Sequence, residues 1–177
     1  MRLEDEIKSL LRDVPDFPKP GVLFKDITPL LSNPLARRRV VQAVASHFAS
    51  DNIHALVAVE ARGFIFGSLI AQELNIPFIP IRKAGKLPFE KITEEYALEY
   101  GTAAIEMHTD AFPAGCRLLL HDDLLATGGT ATAAGHLVQH LGGVVAGYSF
   151  IINLSFLPGE QLLKERFAVN PNYIVKF

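Results

Sequence analysis

The sequence has one cysteine, no long apolar run and no excess of charge of either sign. Cys116 has no partner in the chain for a disulfide, and we expect it to fill a small space in the core. The longest apolar-rich stretch, residues 144–157, is interrupted by glycine and polar residues, so it does not predict a membrane span. With 17 basic and 19 acidic residues the net charge is −2, which argues against nucleic acid or a membrane as partner. A small molecule is the expected partner.

The beginning of the sequence lacks the apolar segment of a signal peptide. Glu4, Asp5 and Glu6 lie where that segment would be, so we expect a soluble, cytoplasmic protein. A length of 177 residues with 49% hydrophobic content suits one globular domain over residues 1–177.

Strand and helix patterns alternate through most of the chain. Apolar residues that share a helical face predict an N-terminal helix reaching Val14, before Pro15. Further helices are predicted over 35–48, 64–74 and 131–141, and strands over 55–59, 76–81, 117–121 and 144–152. Such alternation predicts an α/β fold with a parallel twisted sheet flanked by helices.

The alternation is interrupted between Lys83 and Met107. Glycine, lysine and proline at 83–88 suggest a mobile loop, and residues 96–100 and 103–107 flank Gly101-Thr102 like the strands of a hairpin. A hairpin inserted into an α/β unit is a candidate lid.

Two loops at the carboxyl ends of predicted strands carry polar groups suited to a phosphate ligand. In the first, Arg62 offers a planar fork for phosphate oxygens, and Gly63 permits a tight turn. In the second, Asp122 and Asp123 precede residues 126–130, where two glycines expose backbone N–H groups at a helix start. Threonine hydroxyls add donors, and a ribose cis-diol or hydrated Mg²⁺ would satisfy the two carboxylates.

The run from Leu118 to Thr130 closely resembles the phosphoribosyl-diphosphate motif of type I phosphoribosyltransferases. Residues 16–27, 60–64, 82–88 and 98–101 are similar, in the same order, to the adenine phosphoribosyltransferases of that family. This resemblance implies a type I phosphoribosyltransferase-like fold with a hood segment and an inserted hairpin lid. It also implies purine salvage: transfer of the phosphoribosyl group from phosphoribosyl diphosphate to adenine, giving AMP and diphosphate. The implied cofactor is Mg²⁺, held mainly by diphosphate and water, and the implied assembly is a homodimer.

The resemblance assigns substrate contacts residue by residue. The 5′-phosphate is assigned to Ala126, Thr127, Gly128, Gly129 and Thr130, and the ribose hydroxyls are assigned to Asp122 and Asp123. The diphosphate is assigned to Arg62 and the backbone around Ala61, with Arg82, Lys83 and Lys86 nearby and possible exchange of basic residues across a dimer interface. The hood over adenine is assigned to Leu23, Phe24 and Lys25, with Phe24 stacking on the base.

The expected acid–base group lies on the hairpin. In the hypoxanthine-guanine relatives an aspartate at the position of Ala126 exchanges a proton with the purine, which an alanine cannot do. Glu99 matches the glutamate that adenine enzymes use instead, beside Tyr100, so the implied catalytic residues are Glu99, Arg62 and Tyr100. Asn153 departs from the family, because many members carry an acid there, near the base pocket. That difference concerns the choice of purine.

Three alternatives remain open. The first is a phosphoribosyltransferase for another purine. The second is a metal-dependent hydrolase with His121, Asp122 and Asp123 as ligands, joined by His136 or His140. The third is a regulator that senses phosphoribosyl diphosphate and binds nucleic acid, although the sequence contains no recognisable helix-turn-helix segment.

Overall fold

A seven-stranded sheet forms the centre of the protein in this computed structural model, which describes residues 2–97 and 101–177. The strands are β1 (Arg12–Pro15), β2 (Leu23–Asp26), β3 (Ala55–Val59), β4 (Phe78–Lys83), β5 (Lys91–Ala97), β6 (Thr102–His108), β7 (Arg117–Leu125), β8 (Val144–Asn153) and β9 (Asn172–Lys176). The helices are α1 (Leu3–Ser9), α2 (Thr28–Leu31), α3 (Pro34–Phe48), α4 (Gly63–Leu74), α5 (Gly129–His140) and α6 (Gly159–Phe167).

The strand order of the sheet is β5-β6-β4-β3-β7-β8-β9. The five strands from β4 to β9 in that order pair in parallel, whereas β6 and β5 continue the sheet in antiparallel pairing. Separately, β1 and β2 form a two-stranded antiparallel sheet. The predicted α/β fold with a mostly parallel sheet is confirmed, and the carboxyl ends of β3, β4 and β7 meet at one edge.

Apolar cores cover both faces of the sheet because successive residues of a strand point to opposite sides. Leu118 and Leu120 of β7 are buried with residues of α5, such as Leu137. Leu119 is buried on the other face, with residues of α1, α3 and α4, such as Ile70. This burial on both faces explains why β3 is a continuous apolar run in the sequence and why β7 has three consecutive leucines at 118–120.

The order of predicted strands and helices from residue 34 onward agrees with the structure, with small shifts at the ends. The start of α3 follows the expected signal, because Pro34 occupies its first turn and the Ala36 N–H donates to the Asn33 side chain at 3.1 Å. Strand β7 is longer than predicted and continues to Leu125, so Asp122 and Asp123 belong to the strand itself. Pairing of β7 with β8 as far as Asn153 accounts for this extension.

The predicted N-terminal helix is wrong beyond Ser9. Leu10 ends α1, with its N–H bonded to the Ile7 carbonyl, and Arg12–Pro15 then pairs with Leu23–Asp26 as a strand. The apolar spacing at 10–14 suits a helix, but the backbone groups of this segment bond to β2 instead. A long-range pairing has therefore overridden the local pattern.

The predicted hairpin is present, and it begins earlier than expected, at Lys91. Strands β5 and β6 pair from Lys91↔His108 to Ala97↔Thr102, and β5 packs against α5. Glu99 and Tyr100 lie outside the described residues. Cys116 is half-buried and packs against the core without being enclosed by it, so its expected burial is met only in part. Within residues 2–97 and 101–177, no helix is both long and apolar enough to cross a membrane.

Candidate active site

A cavity of about 440 Å³ opens where β3, β4 and β7 end. Ligands of open parallel sheets bind at this edge. The described residues that line the cavity are Val59, Glu60, Ala61, Arg62, Lys83, Tyr96, Ile105, Asp122, Asp123 and Thr130. A smaller cavity of about 180 Å³ is lined by residues 124–131 and also touches Asp122. The structure therefore brings the two polar loops of the sequence analysis to one place.

The 126–130 loop leads directly into α5. Gly128 has a φ of +85°, a left-handed conformation that a glycine adopts without strain, and its carbonyl accepts the Thr132 N–H at 2.8 Å. The first N–H groups of a helix lack partners within the helix, and the helix dipole adds partial positive charge at the same end. The loop is therefore suited to bind an anion.

Asp122 lines both cavities, whereas the neighbouring Asp123 lines only the main one and contacts Arg62. The Arg62 Nε atom is 2.6 Å from Asp123 Oδ2, and the Asp123 N–H donates to Asp122 Oδ1 at 2.8 Å. Burial raises the pKa of both carboxyls; at Asp122 the neighbouring Asp123 charge raises the pKa further, whereas Arg62 opposes the rise at Asp123. Hydrogen-bond donors from a ligand would favour the ionised forms, so this pair is suited to hydroxyl groups.

Glu60 forms hydrogen bonds and an ion pair with basic residues of β4 and of the turn after it. It accepts hydrogen bonds from the Arg82 side chain at 3.0 Å and the Lys83 N–H at 2.9 Å, and Lys86 Nζ lies 3.5 Å away. These contacts, the Arg82 hydrogen bond above all, lower the pKa of Glu60 to about 2. Of the three basic residues expected near the diphosphate, Lys83 lines the cavity, while Arg82 and Lys86 are bonded to Glu60 at its border.

The predicted hood residues lie on β2. Leu23 is about half exposed, and the Phe24 ring packs edge-on against Phe17 at 5.1 Å, with the Arg62 guanidinium 4.8 Å from its centre. Phe24 and Arg62 are thus in contact, which links the hood to the carboxylate pair. The Lys25 side chain is buried, with Nζ 2.7 Å from Asp13 Oδ1, so its charge is paired within the β1–β2 sheet.

The histidines of the hydrolase alternative have different partners in the fold, His121 on one side and His136 with His140 on the other. His121 is buried with Nδ1 2.8 Å from the Ser149 hydroxyl, and burial lowers its pKa to about 3. His136 and His140 both face Glu94 of β5, with His136 Nδ1 2.9 Å from a carboxylate oxygen. Throughout the part of the chain that the structure describes, no three His, Cys, Asp or Glu side chains are grouped to hold a metal. The ligand set of the hydrolase alternative, His121, Asp122 and Asp123 with His136 or His140, is therefore not grouped among the described residues.

Two features of the site were missed in the sequence. Tyr96 lines the main cavity, and its ring would lie 3.5 Å from a Cβ added to Gly129, so β5 covers the start of α5. Exposed and half-buried residues alternate along β5, but Glu94 lies on the half-buried face between Ile92 and Tyr96, so the sequence shows only part of this alternation. Asn153 is fully buried and bonded to Glu160 of α6, beside the end of β7. Asn153 was noted in the sequence as a departure from the family, but its bond to Glu160 of α6 was not expected.

Comparison with known proteins agrees with this geometry. Residues 27–153 match the model of the phosphoribosyl transferase domain family. The chain is 54% identical to the adenine phosphoribosyltransferase of Cytophaga hutchinsonii, over 91% of this chain and 89% of that protein. It is 51% identical to the enzyme of the same name from Chlorobaculum tepidum, over 97% of both chains. The chain belongs to the adenine phosphoribosyltransferase family.

Solved structures of the adenine phosphoribosyltransferase family have the same fold. The crystal structure from Thermoanaerobacter pseudethanolicus matches with a TM-score of 0.93 and 43% identity, over 98% of this chain and 99% of that one. The Saccharomyces cerevisiae structure, a complex with an imino-altritol bisphosphate and adenine, matches with a TM-score of 0.87 and 37% identity, over 97% and 96% of the two chains. The fold of the whole described chain is thus the family fold.

Proposed function

We propose that this protein transfers the 5-phosphoribosyl group from phosphoribosyl diphosphate to adenine, giving AMP and diphosphate, and so serves purine salvage. The observation that carries the proposal is the placement of the 126–130 loop. The loop opens α5 beside the Asp122–Asp123 pair and next to a 440 Å³ cavity that contains Arg62. Membership of the adenine phosphoribosyltransferase family supports adenine as the base.

Each cavity is proposed to bind a different part of the sugar phosphate. The smaller one, with the Thr127 and Thr130 hydroxyls and the N-terminus of α5, takes the 5′-phosphate. Asp122 lines both cavities and Asp123 lines the main one, and their carboxylates are proposed to accept hydrogen bonds from the ribose hydroxyls. Hydroxyl donors favour the ionised carboxylates, whose negative charge then lies close to the sugar ring.

The main cavity takes the diphosphate. Arg62 and Lys83 supply positive charge there, and the Glu60 cluster holds Arg82 and Lys86 at the border. Mg²⁺, when bound, would offset charge on the departing diphosphate. Asp122 and Asp123 are oxygen ligands of the kind that Mg²⁺ accepts, but Asp123 is already paired with Arg62. Diphosphate and water would therefore supply most of the Mg²⁺ coordination.

The chemistry joins the purine N9 to the anomeric carbon of the ribose as the bond from that carbon to diphosphate breaks. Positive charge develops on the sugar ring in the transition state, and the carboxylate pair stabilises it. Arg62 stabilises the leaving diphosphate, and holding both reactants at one site removes much of the entropic barrier. Glu99 and Tyr100, which follow β5 in the sequence, are proposed to exchange the purine proton, and the β5–β6 hairpin is proposed to close over the site.

The base is proposed to lie under the hood, against Phe24, with the Leu23 and Lys25 backbone at its edge. The exposed face of Leu23 and the Arg62–Phe24 contact support this position, because they place an apolar surface beside the diphosphate cavity. A homodimer and a cytoplasmic location are likewise proposed from the family resemblance. Sedimentation of the purified chain at micromolar concentration tests the assembly.

A purine panel is the direct test of the proposed reaction. AMP formation from adenine and phosphoribosyl diphosphate with Mg²⁺ is expected, with little turnover of hypoxanthine or guanine. Equal rates with hypoxanthine would refute the adenine assignment and favour a phosphoribosyltransferase of another specificity. Nucleic-acid binding that weakens with salt, together with no product from any purine, would favour the sensor alternative.

The role of Glu99 is tested by Glu99→Gln. The variant keeps the size and hydrogen-bonding capacity of the side chain but cannot exchange a proton, so kcat should fall with little change in the KM for phosphoribosyl diphosphate. Glu95→Gln, at an exposed position of β5 on the same hairpin, is the matched control. An unchanged kcat in Glu99→Gln would remove the acid–base role.

A further inference from the structure

The first turn of α6 lies directly behind the 126–130 loop. The Gly159 N–H donates to the Ala126 carbonyl at 3.1 Å, and a Cβ added to Gly159 would lie 2.3 Å from that carbonyl oxygen. A Cβ added to Gly128 would lie 3.0 Å from the Cα atom of Gly159. Both glycines are therefore needed for this close backbone contact, and a movement of α6 would move the loop.

The contact between Gly159 and the Ala126 carbonyl determines where the Thr127 N–H points. The peptide bond between Ala126 and Thr127 is trans, and in a trans peptide the carbonyl and the following N–H point in opposite directions. Because the Ala126 carbonyl points to α6, the Thr127 N–H points away from α6. That donor is left available to a ligand of the loop.

A buried side-chain hydrogen bond fixes the first turn of α6 to the sheet. Asn153, the last residue of β8, is fully buried, and its Nδ2 atom donates to Glu160 Oε2 at 2.8 Å. The Asn153 carbonyl accepts the Phe177 N–H at 3.0 Å, so the residue is itself held by the sheet edge. Lys164, one turn later on α6, binds the other Glu160 oxygen at 2.9 Å. Glu160 follows Gly159 directly, so the bond acts on the turn that touches the loop.

We propose that Asn153 and Glu160 are positioning residues for the phosphate-binding loop. Their hydrogen bond holds Gly159 against Ala126 and thereby sets the direction of the loop donors. The inference rests on the proposed function for the identity of the phosphate as that of phosphoribosyl diphosphate. It assigns the unusual residue at 153 to binding of the sugar phosphate, because Asn153 pairs with Leu125 at the end of β7, directly before the loop.

A set of variants tests whether the Asn153–Glu160 hydrogen bond, and not another property of these two residues, positions the loop. Glu160→Ala removes the acceptor, and Asn153→Asp places two carboxylates against each other. The double variant N153D/E160Q restores a hydrogen bond with donor and acceptor exchanged, since the glutamine amide donates to the aspartate. Gln161→Ala, at the exposed next position of α6, is the control.

The expected result is a selective loss of sugar-phosphate binding. Glu160→Ala and Asn153→Asp should raise the KM for phosphoribosyl diphosphate about tenfold, since small displacements of binding groups cost one to two orders of magnitude. The KM for adenine should stay within about twofold of the wild type, and N153D/E160Q should recover most of the loss. A general structural defect would instead raise both KM values and would not be rescued.

Calorimetric binding of ribose 5-phosphate tests the inference without any turnover. Glu160→Ala should raise its Kd about tenfold, Gln161→Ala should not, and N153D/E160Q should bind almost as the wild type. Should Asn153→Asp fail to fold, Glu160→Ala carries the test alone, because Glu160 is partly exposed and its loss leaves no buried charge. Wild-type Kd in folded Glu160→Ala, or no recovery in a folded double variant, overturns the inference. Loss of AMP formation in the wild type would overturn the proposed function but leave this binding test valid.

Discussion

The Gly63→Ala substitution should displace the Asp122 carboxylate. Gly63 begins α4, and a Cβ added there would lie 2.9 Å from Asp122 Oδ1, 3.1 Å from the His121 carbonyl oxygen and 3.2 Å from the Asp122 Cα. Two of these atoms belong to the β7 backbone, which is held by neighbours on both sides. The Asp122 carboxylate must therefore move, by about 0.5 Å, to reach ordinary contact distance.

The movement has two effects whose free energies can be approximated. Overpacking costs about 1–3 kcal/mol of folding stability, and the better helix propensity of alanine returns at most about 1 kcal/mol. The displaced carboxylate also weakens its hydrogen bond to the ribose. A loss of about 1.4 kcal/mol there corresponds to a tenfold rise in the KM for phosphoribosyl diphosphate.

Steady-state kinetics and urea unfolding on matched variants test this reasoning. Gly67→Ala, one turn later on α4, is the control: its Cβ would lie 2.8 Å from the Ala58 Cβ in the core, away from the carboxylates. Both variants should lose stability, and Gly63→Ala alone should raise the KM for phosphoribosyl diphosphate. Equal KM values in the two variants, with both folded, would show that Gly63 does not govern the position of Asp122.

Three further changes follow from the site contacts. Arg62→Lys loses the planar group that contacts Asp123 at 2.6 Å and the Phe24 ring, so kcat/KM should fall by about one to two orders of magnitude; a change below twofold would contradict the assigned role. The pKa of Glu60 is lowered to about 2 in the fold, so its contribution to stability is present above its ordinary pKa near 4.5 and is lost as the pH falls toward 2. The stability difference between wild type and Glu60→Gln should accordingly shrink between pH 5 and pH 2 in urea titrations, and a constant difference would disprove it. Glu94→Ala removes the acceptor that faces the histidines of α5, so backbone amides of β5 should exchange hydrogen about threefold faster, as expected for loss of a contact worth about 0.5–1 kcal/mol; unchanged exchange would show that this contact does not hold the hairpin.

The strongest sequence prediction concerned a contiguous segment. Residues 122–130 contain the carboxylates, the glycines and the helix start within nine positions, so local backbone chemistry is enough to predict an anion site. The parallel sheet was also predictable, because β3 and the first half of β7 are buried on both faces and appear in the sequence as the apolar segments 55–59 and 118–120. The family comparisons confirm both the fold class and the family.

The site contacts that sequence reasoning missed join residues far apart in the chain. Glu60 bonds Arg82 across two neighbouring strands, and Tyr96 reaches Gly129 only because β5 packs on α5. Neither residue type is distinctive at its position, since an acid after a strand and a tyrosine in a hairpin are common on protein surfaces. Their roles depend on strand order, which local patterns do not contain.

By itself, the sequence determined the α/β class, the family and the segment proposed to bind phosphate, because each is expressed in local periodicity or in a short contiguous motif. Tertiary structure decided how that segment is supported: Arg62 against Asp123, Gly63 beneath Asp122, and the Asn153–Glu160 bond behind the loop. The physical reason is that hydrogen bonds and steric contacts act over a few ångströms in space. Only the packed sheet brings residues separated by tens of positions to that distance.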